Sequence, residues 1–386
     1  MNITEIQSNG ELRAHEFPVV ASKSFLAHAG VCPLPRRVAH AISQCALEGT
    51  LGDQETAMHH RLAEARRLAA RLLSCQEREV SLVGPTSLAL SYIASGLNFR
   101  KGDNILIYQD DYPSNVYPWM ALAAKGVQVR FLNTRGLGMI RPMDVMGQVD
   151  ENTRLVALAS CHFISGYRLN HSAIGKYLRE RGILFCLDGI QTVGAWPTTV
   201  EHVDFLAADA HKWMLGPCGA GILYVRDALR DRLNPPIHGW HNVLSPHFVA
   251  QEEIQFHPDG RKFEVGTHNL LGVTGLIAAM ELILEMGVDN IAADLAAKRT
   301  WLAEACQARG YEVLNPHPDK DNISGIVSIH RSQMDIGQLH RQLAEKGVVA
   351  SLRQDRLGRQ FLRFSPHFYC SEADLQKAVD VLLEPV

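Results

Sequence analysis

The chain lacks the patterns that would place it outside ordinary folded proteins. Its 386 residues contain no CxxC pair, and the eight cysteines (Cys32, Cys45, Cys75, Cys161, Cys186, Cys218, Cys306 and Cys370) are scattered, several of them within apolar runs. That spread argues against a disulfide frame or a cysteine zinc site and for reduced, cytosolic packing thiols. No apolar run reaches the ~18 residues of a membrane span. Met1 to Gly10 carry neither a basic start nor an apolar core, so no secretory signal is expected, and the expected location is cytoplasmic. An excess of one charge is missing too. The 38 Lys and Arg against 41 Asp and Glu leave a net charge of -3, with no basic stripe to suit nucleic acid. Aromatic residues are only 7%, yet 46% hydrophobic and 20% charged residues exclude disordered, collagen-like and coiled-coil chains. No repeat or low-complexity tract is present. At roughly 100–200 residues per domain, the length leaves room for two or three domains and a substantial core.

What the chain does have is alternation. Residues 55–74 keep Leu62, Ala65, Leu68, Ala69 and Leu72 at helical spacing. Strand-like apolar runs follow at 79–84, 104–109, 127–132, 154–161, 183–188, 204–208 and 220–226, with helical patterns at 88–97, 119–125 and 172–181 between them. Buried runs alternating with helices predict an α/β fold with a mainly parallel sheet covered on both faces. A short glycine-rich stretch, not a helix, separates the last two runs, so one strand is expected to run antiparallel. A helix at 272–286 precedes a weaker alternation (290–309, 325–330, 335–346, 360–365, 371–383) that reads as a smaller α+β unit. We therefore divide the chain into a large domain, 20–270, and a small domain, 271–386, to which residues 1–19 are assigned.

Ligands in open α/β sheets gather at the carboxyl ends of strands. One such end is Asp188, followed by Gly189-Ile190-Gln191; another is Asp209-Ala210-His211-Lys212. The 79–84 run leads into Pro85-Thr86-Ser87 at a helix start, and the 104–109 run into Asp110-Asp111-Tyr112-Pro113. A carboxylate, a lysine, an anion cradle and an aromatic ring point to pyridoxal 5'-phosphate. Its aldehyde needs a lysine, its pyridine nitrogen a carboxylate, its phosphate a helix N-terminus, and its flat ring a stacking partner.

The order and wording of these pieces resemble the class V aminotransferase family of fold-type I pyridoxal-phosphate enzymes. The resemblance runs from about Phe25 to the C-terminus and is closest to isopenicillin-N-epimerase-like members, more distantly to cysteine desulfurases and selenocysteine lyases. Its most specific parts are Leu187-Asp188-Gly-Ile-Gln191-Thr-Val-Gly194 and Ala210-His-Lys212-Trp-Met-Leu-Gly-Pro217-Cys-Gly219-Ala-Gly221. Tyr112-Pro-Ser-Asn115-Val-Tyr-Pro-Trp119, Lys262-Phe-Glu264-Val-Gly-Thr267 and Arg363-Phe-Ser-Pro-His-Phe-Tyr369 add to it.

The resemblance implies a fold-type I transferase with a seven-stranded large-domain sheet. Lys212 would be the Schiff-base lysine and proton shuttle, Asp188 the pyridinium partner and Gln191 the ligand of the ring 3'-oxygen. Tyr112 would stack on the ring, and Thr86, Ser87 and His211 would bind the phosphate. Thr267 would reach the phosphate of a neighbouring subunit, implying a homodimer. Arg363 would take the substrate α-carboxylate, with Arg353 as a competing ligand. His28 either faces the substrate or packs as a satisfied histidine. The activity implied is on an amino acid, through an external aldimine and a Cα carbanion, as an aminotransferase. A β-eliminating C–S lyase or an amino-acid epimerase is the alternative, with a non-catalytic protein of the same fold as the remaining reading.

Two departures matter. No cysteine lies between Cys306 and Cys370, so the stretch 353–360 lacks the nucleophilic thiol that desulfurases carry before the Arg363 position. Asp209 stands where desulfurases have a phosphate-binding serine. A carboxylate there is unfavourable unless it is paired or turned to orient His211 or a backbone N–H. No metal is expected, because His59-His60 and His238-Gly-Trp-His241 lack the spacing of a zinc protease. The glycines at 216–221 lack the dinucleotide order and context.

Overall fold

Short apolar runs that alternate faces can be buried on both sides only inside a sheet flanked by two layers. In the computed structural model, which describes residues 1–382, they do so. The first strands are β1 (Ser24–Phe25), β2 (Val80–Val83), β3 (Asn104–Ile107) and β4 (Gln128–Phe131). Next come β5 (Thr153–Ala159), β6 (Leu184–Asp188), β7 (Phe205–Asp209) and β8 (Gly221–Val225). The later strands are β9 (Glu312–Val313), β10 (Val327–His330), β11 (Val348–Val349), β12 (Ser351–Gln354) and β13 (Gln360–Phe364).

The large sheet has seven strands in the order β2-β8-β7-β6-β5-β3-β4. β3 to β7 pair in parallel. β8 runs antiparallel to both β7 and β2, as expected where the chain returns without a helix to carry it back. In β5, Val156 and Leu158 join one apolar layer, and Leu155 and Ala157 the other. The helix Thr86–Gly96 covers the second layer with Ala89, Leu90 and Ile93. Leu90 and Ile93 each contribute about 1.5–3 kcal/mol by burial, Ala89 less. At the end of that helix only glycine fits position 96, because a Cβ there would stand 2.2 Å from the Asn234 carbonyl oxygen. The helices Glu55–Leu73, His171–Glu180 and Leu270–Met286 cover the opposite layer.

A second, antiparallel sheet runs β12-β13-β10-β9. The N-terminal residues pack against its side of the molecule. Phe17 stacks on Tyr369 at 4.0 Å, Gln7 Nε2 donates to the Phe368 carbonyl at 2.6 Å, and Arg13 pairs with Asp374 at 3.1 Å. β1 pairs in parallel with β11.

Several elements differ from expectation. The helix expected at 119–125 is one turn, Tyr117–Met120, tightening into a 3₁₀ segment, Ala121–Lys125. Pro118 starts it, and Gly126 at φ 80 stops it. The helices Ile3–Ser8, Gly10–Glu16 and Arg36–Glu48 and the strand β12 were not anticipated. The last helix, Glu372–Val381, is capped by Ser371, and Leu383, its expected end, lies outside the described residues. Among the described residues no single helix is long and apolar enough to cross a membrane.

Candidate active site

Parallel pairing brings the carboxyl ends of β5 and β6 level, with Ala159 beside Asp188. Asp188 is buried, and its Oδ1 accepts from the Ile190 amide at 3.1 Å. Burial pushes its carboxyl up to about 6, against the opposing pull of that amide and of Lys212. Lys212 follows β7 and is buried as well. Burial brings its amine down to about 8, although Asp188 resists the change. Its Nζ lies 5.3 Å from the centre of the Tyr112 ring, which is half-exposed and packs edge-on against Phe163. Lysine, carboxylate and an open aromatic face therefore border one space.

The anion cradle lies at the start of the helix Thr86–Gly96, which has no side-chain cap. Leu88 N and Ala89 N bond to the Pro85 carbonyl. The amides of Thr86 and Ser87 precede them in the uncapped first turn, where the helix dipole favours an anion. The buried Thr86 hydroxyl accepts from the Asp209 amide at 2.9 Å, which leaves its own proton to donate. Ser87 is exposed and shares a 2.7 Å hydrogen bond with Ser114.

Asp209 is turned toward donors of its own chain. Its oxygens accept from the Ala210 amide (2.7 Å), the Gly219 amide (3.1 Å) and His211 Nδ1 (2.8 Å). Asp209 is therefore turned to orient His211 and two backbone N–H groups, one of the alternatives its sequence position left open, and not placed as a direct ligand. Gln191 is fixed from both ends, donating to the Ala29 carbonyl at 3.2 Å and accepting from Trp213 Nε1 at 2.8 Å. One N–H of its amide remains for a ligand.

Arg363 on β13 is buried, donates to the Phe163 carbonyl and to Ser351 Oγ, and leaves Nε without a partner. A buried guanidinium with an orphan donor and neutral acceptors only is a receptor for an anion. His28, in contrast, does not face the site. It is fully buried, with Nδ1 bonded to the Ser365 carbonyl at 3.0 Å and Nε2 to the Tyr369 hydroxyl at 2.7 Å. Both ring nitrogens are used, so His28 is a packing histidine and the substrate-facing reading is corrected. Thr267 is exposed on the rim of a separate cleft with Gly84 and Gly219.

Asp111 was missed by sequence reasoning. It is buried and accepts from the amides of Tyr112 (2.8 Å) and Ala159 (3.0 Å) and from Asn115 Nδ2 (3.0 Å). Asn115 in turn accepts from Trp119 Nε1 at 3.0 Å. This network pins the Tyr112 loop to the end of β5. Burial and the like charge of Asp188 push Asp111 up to about 7. Its only signal was the i,i+4 spacing of Asp111, Asn115 and Trp119. Elsewhere, His241 and His268 gather around the buried Glu264. Both Glu264 oxygens bind Arg66, so we read the cluster as an ion-pair network, not a metal centre.

The residues present fit pyridoxal phosphate by the chemistry of their donors: a depressed lysine, a buried carboxylate, an uncapped helix start and an orphan guanidinium donor. Comparison with known proteins agrees. The model of the family "Aminotransferase class-V" matches residues 25–377. A probable cysteine desulfurase of Methanothermobacter thermautotrophicus is 29% identical over 86% of this chain and 84% of its own length. An uncharacterized aminotransferase, YcbU of Bacillus subtilis, is 27% identical over 82% and 81%. Among solved structures, a cysteine desulfurase of Thermococcus onnurineus NA1 matches with TM-score 0.88 and 22% identity, covering 96% of each chain. The cystine C-S lyase C-DES, solved with its product cysteine persulfide, matches with TM-score 0.87 and 21% identity over 96% of this chain and 100% of its own. At these identities the structures speak for the fold, a fold-type I α/β architecture.

Proposed function

The chain belongs to the class-V aminotransferase family of pyridoxal-phosphate enzymes, and from that premise we propose that it removes a β-substituent, in particular a sulfur group, from an amino acid. When bound, pyridoxal phosphate supplies a carbonyl for the substrate amine and an electron sink for Cα. Lys212 holds the cofactor and moves the Cα proton, a task suited to an amine brought down to about 8. Asp188 keeps the proton on the ring nitrogen. Thr86, Ser87 and His211 hold the phosphate, with His211 aimed by Asp209. Gln191 holds the ring oxygen, Tyr112 covers the ring face, and Arg363 anchors the α-carboxylate. In a homodimer, Thr267 would complete the neighbour's phosphate site.

The observation that carries the amino-acid reading is the unpartnered Nε of buried Arg363 beside the space that Lys212 and Tyr112 border. Support for β-elimination over transamination comes from the relative named a probable cysteine desulfurase, 29% identical over most of both chains. Support for elimination over persulfide transfer comes from the turn between β12 and β13, which has no thiol.

The test has two arms on separate samples: borohydride reduction of one, and product analysis after turnover of the other, unreduced. We expect the cofactor fixed on Lys212, and pyruvate, ammonia and a thiol from an S-alkylated cysteine. The keto acid of the intact substrate together with an aminated acceptor would establish transamination instead. An adduct on another lysine would overturn the site.

A further inference from the structure

We propose that Arg353 binds a second anionic group of the substrate, so that the site selects amino acids whose β-substituent ends in an acid. The inference rests on the amino-acid reading above and deepens it. In the β12–β13 pair, Ser351 lies opposite Arg363, so the two share a face of the sheet, and Arg353, two residues on from Ser351, shares it too. The two guanidinium groups meet at Gly30. A Cβ built on Gly30 would stand 3.8 Å from Arg353 Nη2 and 3.9 Å from Arg363 Nη2, and its absence leaves the space between them open.

Among the described residues, neither charge pairs with a carboxylate. Arg353 donates to the Leu352 carbonyl at 2.8 Å, and Arg363 to the Phe163 carbonyl and the Ser351 hydroxyl. No carboxylate is among these acceptors in the described residues. Two like charges held around one space, with Lys212 a third cation nearby, are unfavourable until anions enter. One α-carboxylate offsets only one of them. The cofactor's phosphate has its own cradle, at Thr86 and His211.

Burial assigns the roles. Arg363, fully buried with an orphan Nε, suits the α-carboxylate that must be fixed close to Lys212. Arg353 is only partly buried and faces the outward end of a bound substrate. A planar guanidinium can hold a carboxylate there through two hydrogen bonds.

The test uses isosteric pairs that differ by one charge: S-carboxymethyl-L-cysteine against S-carbamoylmethyl-L-cysteine, and L-glutamate against L-glutamine. Dissociation constants for the cofactor-loaded enzyme are measured by calorimetry. We expect the acid of each pair to bind at least about tenfold more tightly, the scale of a charge-assisted hydrogen bond. In Arg353→Gln that ratio should collapse to about one through lost affinity for the acids, and Arg353→Lys should keep part of it.

Equal affinities within each pair in the unaltered enzyme would overturn the inference. So would an Arg353→Gln variant that loses the same factor for acid and amide, since Arg353 would then share the α-carboxylate. Binding of no amino acid at all would sink the amino-acid reading itself. Tighter binding of S-carboxymethyl-L-cysteine without release of thioglycolate would sink only the elimination chemistry.

Discussion

His211 Nδ1 donates to Asp209 Oδ2 across 2.8 Å, and the Gly219 amide donates to the same oxygen at 3.1 Å. A carboxylate filled in this way orients the imidazole through Nδ1 and leaves Nε2 for a second partner. Asp209→Ala would strip acceptors from three donors. Each buried group left unpaired costs about 1–3 kcal/mol. We expect a lower melting temperature without cofactor and at least tenfold weaker cofactor binding, measured by titrating the cofactor-free variant. Unchanged affinity would show that His211 needs no orientation.

The second expected outcome concerns Arg66 and Glu264. Glu264 is fully buried, and although burial alone would push its carboxyl up, His268 and Arg66 hold it at about 2. Arg66→Ala leaves that charge buried without its main partner, a loss of about 3–5 kcal/mol. Urea unfolding at pH 7 would measure it, and a loss under ~1 kcal/mol would reject the network as a structural element. Because the folded-state carboxyl is depressed, its contribution is present above the ordinary carboxylate range and fades as pH falls toward 2.

For Asp188 the sign is reversed. Its carboxyl is raised to about 6, so the cofactor-free protein binds an extra proton relative to the unfolded chain. Stability from this group falls as pH rises from the usual carboxylate range through 6. Asp188→Asn should therefore stabilise the cofactor-free protein at pH 7 while weakening its hold on the cofactor. Lys212, lowered to about 8, is largely protonated at neutral pH, and only the neutral amine attacks a carbonyl. The rate of cofactor capture should rise as pH climbs through 8 and level off above it. A rate already flat below pH 7 would contradict this.

The residues that were legible share a local cause. Lys212 and Asp188 stood out because each breaks an apolar run at a strand end, and the run itself reports the strand. The residues that were not legible owe their roles to partners far along the chain. His28 is settled by Ser365 and Tyr369, 337 and 341 positions away, so sequence alone left its two readings level. Arg66 and Glu264 are 198 positions apart. Asp111 gave no role of its own in the sequence because one of its donors is the Ala159 amide at the end of β5. β12 escaped notice because Ser351-Leu-Arg-Gln354 holds a single apolar residue, and pairing with β13 makes it a strand.

Cysteine itself provides the last test. Desulfuration needs a thiolate that can reach the substrate sulfur, and thiolate is the reactive form. The turn between β12 and β13 carries Asp355, Arg356, Leu357, Gly358 and Arg359 and no thiol. Cys370, beyond Arg363, is buried, donates to the Phe25 carbonyl at 3.3 Å, and is pushed up to about 12 by burial. Burial therefore favours its thiol form over the nucleophilic thiolate. Cys218 is the exposed cysteine, in the turn that follows Lys212. Elimination needs no thiol from the protein, only removal of the Cα proton and departure of the sulfur. Incubation with L-cysteine should therefore yield pyruvate, ammonia and sulfide, and the yield should survive both Cys370→Ser and Cys218→Ser. Alanine formed together with a protein persulfide, and lost in either variant, would show that the chain is a desulfurase acting through that cysteine.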